Sequence, residues 1–357
     1  MKYGIIFVCQ EGLLEIQSAI LAVSLKLRAV GDYSITAVVP NFGKVSPCIS
    51  YLFNQIDVNV VNVVNKFNPF YPEGNKILAA SISQNTDRKI FLDSDNICVS
   101  SFDVSIFDQY DFYCTCTDPI IALKENEWKS VYNYFKLDMP VFNGLNRIHT
   151  QAVVVMFSDK YDFSKRWFKN AMKLNAAVNN GTVLLTKKRQ IDQLSLGVSL
   201  RMHNFSNPLI DDPMTWNGSD DWWDQPKCKC HPWEREEFIG FRKINKIVAT
   251  PDMVFGYNKG LSFNLDIPLF LTMQNGANFC QKHQGEPSVM FHNWIDHYPI
   301  VRNAIVEIVE LYPIIKFSKY WNIYEARYLK NSDNSWFMPN RNDGNFIPRV
   351  LENKLWL

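Results

Sequence analysis

Residues 88–100 read Arg-Lys-Ile-Phe-Leu-Asp-Ser-Asp-Asn-Ile-Cys-Val-Ser, and two carboxylates in this stretch follow directly on a short apolar run. The run, Ile90 to Leu92, is bounded by polar residues, which is typical of a buried strand. The carboxylates are Asp93 and Asp95, one residue apart. In open α/β sheets, ligands bind just outside the carboxyl ends of the strands. The stretch therefore predicts a ligand site formed by two acids at a strand end.

The chain before this strand alternates between predicted strands and helices. Three strands are predicted there, over residues 3–9, 33–39 and 57–64. A helix is predicted between the first two, because apolar residues recur at steps of three and four from Leu13 to Leu27. A short helix over residues 76–83 precedes the acid-bearing strand. This alternation predicts an α/β fold, a doubly wound and mostly parallel sheet flanked by helices.

The pattern continues after the acids and then weakens. Strands are predicted over residues 110–116 and 151–157, and helices over residues 128–137, 163–177 and from Ile191 onward. Periodicity weakens from about residue 204, and helical spacing returns near Ile305. We expect one domain over residues 1–300, divided into halves at 1–100 and 101–300. An irregular and helical segment at 301–357 is expected to pack on it.

Composition limits the classes of partner and the compartment. The formal net charge of the 357 residues is +1, from 37 basic and 36 acidic side chains, so no overall field attracts nucleic acid or an anionic membrane. No apolar run of about 18 residues, the length of a transmembrane helix, occurs in the sequence. The 8 cysteines are scattered, which favours reduced thiols over a disulfide framework. We therefore expect a cytoplasmic protein with no nucleic-acid partner and no transmembrane segment.

The spacing of Asp93 and Asp95 is suited to holding one ion. Mg²⁺ and Mn²⁺ prefer oxygen ligands and complete their shells with water and phosphate oxygens. Such an ion clamps a diphosphate and offsets the charge that develops as the diphosphate leaves. The two acids therefore predict a divalent metal that carries a diphosphate. The alternative is a pair of solvated turn residues, since Asp-x-Asp is a common tripeptide.

A family resemblance appears in two neighbouring stretches. Residues 75–79 read Asn-Lys-Ile-Leu-Ala, and residues 87–95 read Asp-Arg-Lys-Ile-Phe-Leu-Asp-Ser-Asp. Together they resemble the centre of a GT-A-type glycosyltransferase of the broad glycogenin and galactosyltransferase-like kind. In that family a basic residue on a short helix precedes an apolar strand that ends in Asp-x-Asp. The resemblance covers the order of elements in roughly the first half of the chain.

The resemblance implies a metal-dependent glycosyltransferase. Such an enzyme moves a sugar from a UDP- or GDP-sugar to a hydroxyl of a glycan, a glycoprotein or a lipid-linked saccharide, with Mn²⁺ or Mg²⁺ as cofactor. Asp95 is then the direct metal ligand, and Asp93 contacts the metal or the donor ribose. Ser94 lies between them in the donor-binding segment, and Lys76 lies near the donor phosphates or sugar. The domain halves become a nucleotide-sugar-binding half and an acceptor half.

Two further groups follow from the resemblance. Gln10, Glu11 and Gly12 end the first strand, where the family holds the nucleotide base, and Gly12 allows close backbone approach. An ordinary strand-to-helix turn is the alternative interpretation. Asp192 and Gln193 resemble a pair that faces the transferred sugar, where the acid binds sugar hydroxyls or, in an inverting enzyme, takes the acceptor proton. The alternative for Asp192 is an acid stabilised by a helix N-terminus.

A third metal ligand and an acceptor platform are expected late in the chain. His292, within Phe291-His292-Asn293-Trp294, best matches the family's downstream metal-binding His, with His283 and His297 as competitors. The Gly and Lys-Pro-Trp that follow this His in the family are missing. Either a sugar-stacking platform or a packed patch under a loop is predicted from Trp216, Trp222, Trp223 and Trp233, with Asp220, Asp221 and Asp224.

Two other functions remain open from the sequence. A phosphatase of the haloacid-dehalogenase type also carries Asp-x-Asp after an apolar strand, and Asp93 would then be its nucleophile. That motif normally stands on the first strand and continues with Thr or Val, whereas three strands are predicted before Asp93 and Ile97 occupies the later position. The other alternative is a non-catalytic carbohydrate-binding protein in which the acids are structural.

Overall fold

The computed structural model describes eleven stretches of the chain. They are residues 1–41, 43–99, 101–108, 112–116, 125–138, 150–158, 162–186, 190–202, 248–250, 270–273 and 301–329.

Strands and helices alternate in the first part of the chain. Its elements are β1 (Tyr3–Val8), α1 (Leu13–Arg28), β2 (Ala29–Val30), β3 (Tyr33–Pro40), α2 (Pro47–Gln55), β4 (Val58–Val63), α3 (Gly74–Ala80), β5 (Arg88–Leu92), β6 (Asn96–Cys98) and β7 (Phe102–Asp103). The later elements are β8 (Phe112–Cys116), α4 (Glu125–Tyr134), β9 (Thr150–Ser158), α5 (Phe163–Asn179), α6 (Ile191–Met202), β10 (Val248–Thr250), β11 (Phe270–Thr272), α7 (residues 301–311) and α8 (Trp321–Tyr328). Short 3₁₀ turns lie at Val104–Phe107 and Pro313–Phe317.

The strands build one large sheet. Within the described residues it has seven strands in the order β10-β8-β9-β5-β1-β3-β4. β1 pairs in parallel with β3 and β5, β3 with β4, and β8 with β10. β9 runs antiparallel to both its neighbours, β5 and β8. The carboxyl ends of β1, β3, β4 and β5 therefore meet at one edge of the sheet.

The acid-bearing strand β5 is the central strand of the described sheet. The chain winds from β1 through β3 to β4 on one side and then crosses to β5 on the other side of β1. The direction of winding thus changes between β1 and β5. In open α/β sheets a crevice opens at such a point, outside the carboxyl ends of the strands, and ligands bind there.

Side chains that alternate along each strand fill two core layers. Ile5 and Phe7 of β1 point to one face, where α1, α2, α7 and α8 cover the sheet. Ile6 and Val8 point to the other face, where α3, α4, α5 and α6 pack. Residues of α7 and α8, including Ile308 and Tyr324, are buried in the first layer. Arg28 at the end of α1 forms an ion pair with Glu307 of α7, which links the C-terminal part to the sheet.

The predicted fold class is confirmed, since the sheet is mostly parallel and has helices on both faces. The predicted strands and helices agree with the observed ones to within a few residues at each end. The helix α2, which the predictions did not include, begins at Pro47. The division into residues 1–300 and 301–357 stays a prediction.

Two observations bear on the predicted thiols and on the predicted lack of a transmembrane segment. Cys9, Cys48 and Cys98 are free thiols in the described part of the chain. No helix among the described residues is long and apolar enough to cross a membrane.

Candidate active site

An ion pair stands at the crevice between β1 and β5. Asp93 follows the last residue of β5, and α3 packs against β1 and β5 so that Lys76 reaches it. The Lys76 Nζ donates to Asp93 Oδ2 over 2.7 Å. The Asp93 side chain is 12% exposed and the Lys76 side chain 31% exposed, so the pair lies at the inner wall of the crevice rather than on the open surface.

The turn after β5, which carries both acids, is held by several hydrogen bonds. The backbone carbonyl of Asp93 accepts from the backbone N–H and the side-chain amide of Asn96, over 3.1 and 3.0 Å. The Ser94 hydroxyl donates to the carbonyl of Val8, which joins the end of β5 to the end of β1. The carbonyl of Asp95 accepts from the Met273 N–H over 2.7 Å, directly after β11. These bonds leave the carboxylates of Asp93 and Asp95 for other partners.

A third acid, Asp192, begins helix α6 near the same lysine. Its carboxylate accepts from the Tyr71 hydroxyl over 2.9 Å, and its backbone N–H donates to that hydroxyl over 3.1 Å. The Trp167 indole N–H donates to the Asp192 carbonyl over 3.0 Å. The start of α6 is therefore fixed against α5 and against the loop before α3.

Burial dominates the electrostatics of the acids. Burial raises the pKa of Asp93 to about 7, although the Lys76 ammonium acts in the opposite direction. Burial also raises the pKa of Asp95 and of Asp192, again opposed by Lys76. Burial by itself lowers the pKa of Lys76, but the three carboxylates outweigh it and the net shift is upward. With all three acids ionised, the single ammonium of Lys76 would leave two negative charges uncompensated.

The turn between β1 and α1 borders this group. Gly12 has a φ of 105°, a conformation that side-chain-bearing residues avoid, and a Cβ placed on it would meet no atom within 4 Å. The Gln10 side-chain carbonyl accepts from Asn75 of α3 over 3.4 Å. Glu11 accepts from Lys319 and from the Tyr320 hydroxyl, each over 2.6 Å. The C-terminal part therefore reaches the rim of the crevice at this turn.

The structure brings several of the predicted site residues together and uses others within the fold. Lys76, Asp93, Asp95 and Asp192 form one electrostatic group, and Gln10 is linked to it through α3. The Ser94 hydroxyl is engaged by a backbone carbonyl, so its donor-binding role stays a prediction. Gln193 follows Asp192 in the first turn of α6 and is half-buried.

The late site residues lie outside the described residues. They are His292, its competitors His283 and His297, and the Trp-rich residues 216–224. Their proposed roles as metal ligand and as acceptor platform stay predictions.

Sequence reasoning missed three polar contacts of the crevice. Tyr71 lies within residues 68–74, where two prolines and a glycine indicate only a loop, and its partner Asp192 is 121 residues away. Lys319 and Tyr320 lie in a segment that the sequence marked only as a C-terminal tail. A sequence offers no pairing signal over such distances, because tertiary packing alone brings these residues together.

The donor set fits a divalent cation. Mg²⁺ and Mn²⁺ take carboxylate oxygens, and the two uncompensated negative charges match the charge of one such ion. Among the described residues, no three His, Cys, Asp or Glu side chains converge to hold a metal by themselves. Two carboxylates would therefore share the ion with water and with phosphate oxygens, as is usual for Mg²⁺.

A strand-end site of this kind, with a basic residue and acids where the direction of winding changes, is typical of a ligand-binding α/β protein. Residues 5–204 match the sequence profile of the Rhodobacterales glycosyltransferase domain. The match spans more than half of the 357 residues, and the protein belongs to this glycosyltransferase family. The prediction of a glycosyltransferase is confirmed, and the phosphatase and non-catalytic alternatives are set aside.

Comparisons with other proteins add one structure. The apo form of mouse xyloside xylosyltransferase 1 is similar over 56% of this chain and 82% of its own, with 9% sequence identity and a TM-score of 0.38. A comparison with curated protein sequences finds no significant match.

Proposed function

We propose that this glycosyltransferase moves a sugar from a nucleotide diphosphate sugar, such as a UDP- or GDP-sugar, to a hydroxyl of a carbohydrate or glycoconjugate. Asp93 and Asp95 hold Mn²⁺ or Mg²⁺ in this proposal. The observation that carries it is the group of Asp93, Asp95 and Asp192 around one lysine at the crevice between β1 and β5. The predicted cytoplasmic location also stays a prediction.

The charge of the group supports a bound cation. Uncompensated charges in a poorly solvated site are costly, which is why the pKa of each of the three acids is raised. A divalent ion on Asp93 and Asp95 removes that cost and lowers the pKa of both carboxyl groups. When bound, the ion supplies Lewis-acid stabilisation of the leaving diphosphate.

Lys76 is the residue that we assign to the donor phosphates. Its side chain reaches Asp93 from α3 and is partly exposed to the crevice, so its three N–H donors can serve a phosphate oxygen as well as the carboxylate. Its raised pKa keeps it charged at neutral pH. Lys76 thus supplies a fixed positive charge where the diphosphate charge develops.

Asp192 is the residue that we assign to the transferred sugar. Its carboxylate is buried, and its backbone N–H and carbonyl are hydrogen-bonded to Tyr71 and to Trp167. A fixed carboxylate can accept from sugar hydroxyls. A raised pKa also brings a carboxylate closer to the range in which it accepts a proton from an attacking hydroxyl.

The turn of Gln10, Glu11 and Gly12 is assigned to the nucleotide base. The open side of Gly12 gives a flat base or ribose access to the backbone. Gln10 presents amide groups that are suited to the edge of a base. In this assignment the base lies at the β1 turn, the diphosphate lies at Lys76 with Asp93 and Asp95, and the sugar lies at Asp192.

Donor binding that depends on a metal is the direct test. The apparent Tm is measured with a panel of UDP- and GDP-sugars, with and without Mn²⁺, because a ligand that binds the folded state raises its stability by mass action. We expect at least one donor to raise the Tm only when Mn²⁺ is present, and the Asp95→Ala variant to lose this response. Donor binding that is equally strong without a divalent ion would contradict the metal assignment.

A further inference from the structure

The Tyr71 hydroxyl lies between two parts of Asp192. It donates to the carboxylate over 2.9 Å and accepts from the backbone N–H of the same residue over 3.1 Å. Tyr71 is 5% exposed and Asp192 is 2% exposed. One hydroxyl thus ties the side chain of Asp192 to the first turn of α6, in a place where water does not compete for either bond.

Tyr71 is itself held firmly by the loop between β4 and α3. Its carbonyl accepts from the Asn65 side-chain amide over 3.0 Å. Its ring packs against Phe67 at 5.6 Å between ring centroids. The same loop is tied to α5 by the Asn175 side chain, which donates to the Pro69 carbonyl over 2.7 Å. The position of the hydroxyl is therefore set by its own loop and not by the position of Asp192.

The direction of the Asp192 carboxylate matters because a competing partner is close. The Lys76 ammonium acts on the charge of Asp192 and already binds Asp93. A buried carboxylate that loses a hydrogen-bond donor seeks another one. Without the Tyr71 hydroxyl, Asp192 would turn toward Lys76. The hydroxyl keeps the two apart and leaves Lys76 to Asp93 and to the donor phosphates.

We propose that Tyr71 is a positioning residue that holds the Asp192 carboxylate toward the transferred sugar. This proposal rests on the proposed role of Asp192. Because Tyr71 acts on a group that faces the reacting sugar, its hydroxyl affects the rate of transfer more than the affinity for the nucleotide. Nothing in the sequence pattern assigns Tyr71 a role beyond a loop residue.

Removing the hydroxyl alone tests this proposal. In Tyr71→Phe we expect kcat to fall by about 10- to 100-fold, the effect of misplacing a reacting group, while the KM for the donor changes by less than about threefold. The control is Tyr132→Phe, which removes the hydroxyl of another buried tyrosine, on α4 in the same core layer. That variant is expected to keep the wild-type kcat. A wild-type kcat in Tyr71→Phe, or equal losses in both variants, would overturn the proposal.

A double variant separates this proposal from the role of Asp192. In an Asp192→Asn background, Tyr71→Phe is expected to cause no further loss of kcat, because residues that act as a unit are not additive. A further loss of the same size would show that Tyr71 acts independently of Asp192 and would overturn the inference. Wild-type activity of Asp192→Asn alone would instead overturn the role that we assign to Asp192.

Two further measurements examine the same hydrogen bond. Incorporation of 4-aminophenylalanine at position 71 keeps the ring and restores a donor at the same place, so we expect it to recover most of the kcat. A protein with this residue that is as slow as Tyr71→Phe would contradict the proposal. Crystal structures of the wild type and of Tyr71→Phe are expected to show the Asp192 carboxylate in different orientations, and an unchanged orientation would also overturn it.

Discussion

The Lys76 ammonium of α3 and the Asp93 carboxylate after β5 form a 2.7 Å ion pair at the wall of the crevice. Removing one partner of a buried pair leaves an uncompensated charge, whereas removing both partners is often nearly neutral. Single and double variants of the pair therefore measure how much it contributes to stability, independently of activity.

The first prediction concerns this pair. Lys76→Met is expected to lower the free energy of unfolding by about 1–3 kcal/mol, below the usual cost for a fully buried pair because the lysine side chain is 31% exposed. Lys76→Met with Asp93→Asn is expected to recover most of that loss. Urea unfolding at pH 8 in the absence of metal measures both changes, because Asp93, whose pKa is about 7, is then mostly ionised. The control is Lys165→Met, from the exposed Lys165–Asp162 pair, which is expected to change nothing measurable. A double variant that is less stable than Lys76→Met would contradict the pairing.

The second prediction concerns Asp95. Asp95→Ala is expected to abolish sugar transfer and to remove the response of donor binding to Mn²⁺, because it deletes a proposed metal ligand. The fold is expected to remain intact, since the turn is held through backbone groups of Asp93 and Asp95 and the Asn96 side chain. Asp87→Ala is the control, since Asp87 is exposed and precedes the other end of β5. Full activity of Asp95→Ala would exclude Asp95 as a ligand.

The sequence predicts this part of the fold well because the signals are local. The apolar run before Asp93 marks β5 to within two residues, and the order of strands and helices predicts the parallel half of the sheet. The antiparallel direction of β9 has no such signal, since a buried run reads the same in either direction. The helix α2 was missed although its sequence carries a local signal. Ser46 and Pro47 lie at its start, and its buried face is formed by Ile49, Leu52 and Phe53.

The candidate site also contains residues that local sequence predicts and residues that it does not. Asp93 and Asp95 follow one strand, so their proximity could be predicted, whereas Lys76 was expected near the site only from the family resemblance. Tyr71 and Asp192 meet only because a loop and a helix start pack together, and their contact could not be predicted. Local pattern predicts the groups that bear charge, whereas tertiary packing determines the groups that orient them.

The third prediction concerns pH. The pKa of Asp93 is raised to about 7, so this carboxyl group is protonated in the metal-free folded protein at pH 6. The folded state then holds a proton that the unfolded state has released, and this group makes the free energy of unfolding fall as pH rises from about 4 to 7. Metal must displace that proton, so the affinity for Mn²⁺ is expected to rise by about tenfold per pH unit up to pH 7 and then level off. Calorimetric titrations with Mn²⁺ between pH 5.5 and 8 measure this affinity.

The control for this pH dependence is Asp93→Asn. This variant is expected to bind Mn²⁺ weakly at every pH, and its metal-free stability is expected to vary less between pH 4 and 7 than that of the wild type. An affinity for Mn²⁺ in the wild type that does not change with pH would show that Asp93 is ionised throughout or does not bind the metal.

The fourth prediction compares two glycines that both have a positive φ. Gly12 has a φ of 105° and Gly181 a φ of 79°, and a Cβ on either would meet no atom within 4 Å. Changing either glycine to alanine therefore adds backbone strain without a clash, and we expect both variants to lose about 1–2 kcal/mol of stability. Only Gly12→Ala is expected to weaken donor binding, by about tenfold or more, since only Gly12 borders the proposed base site. Donor affinity by calorimetry decides this, and an equal affinity in the two variants would remove the β1 turn from the nucleotide site.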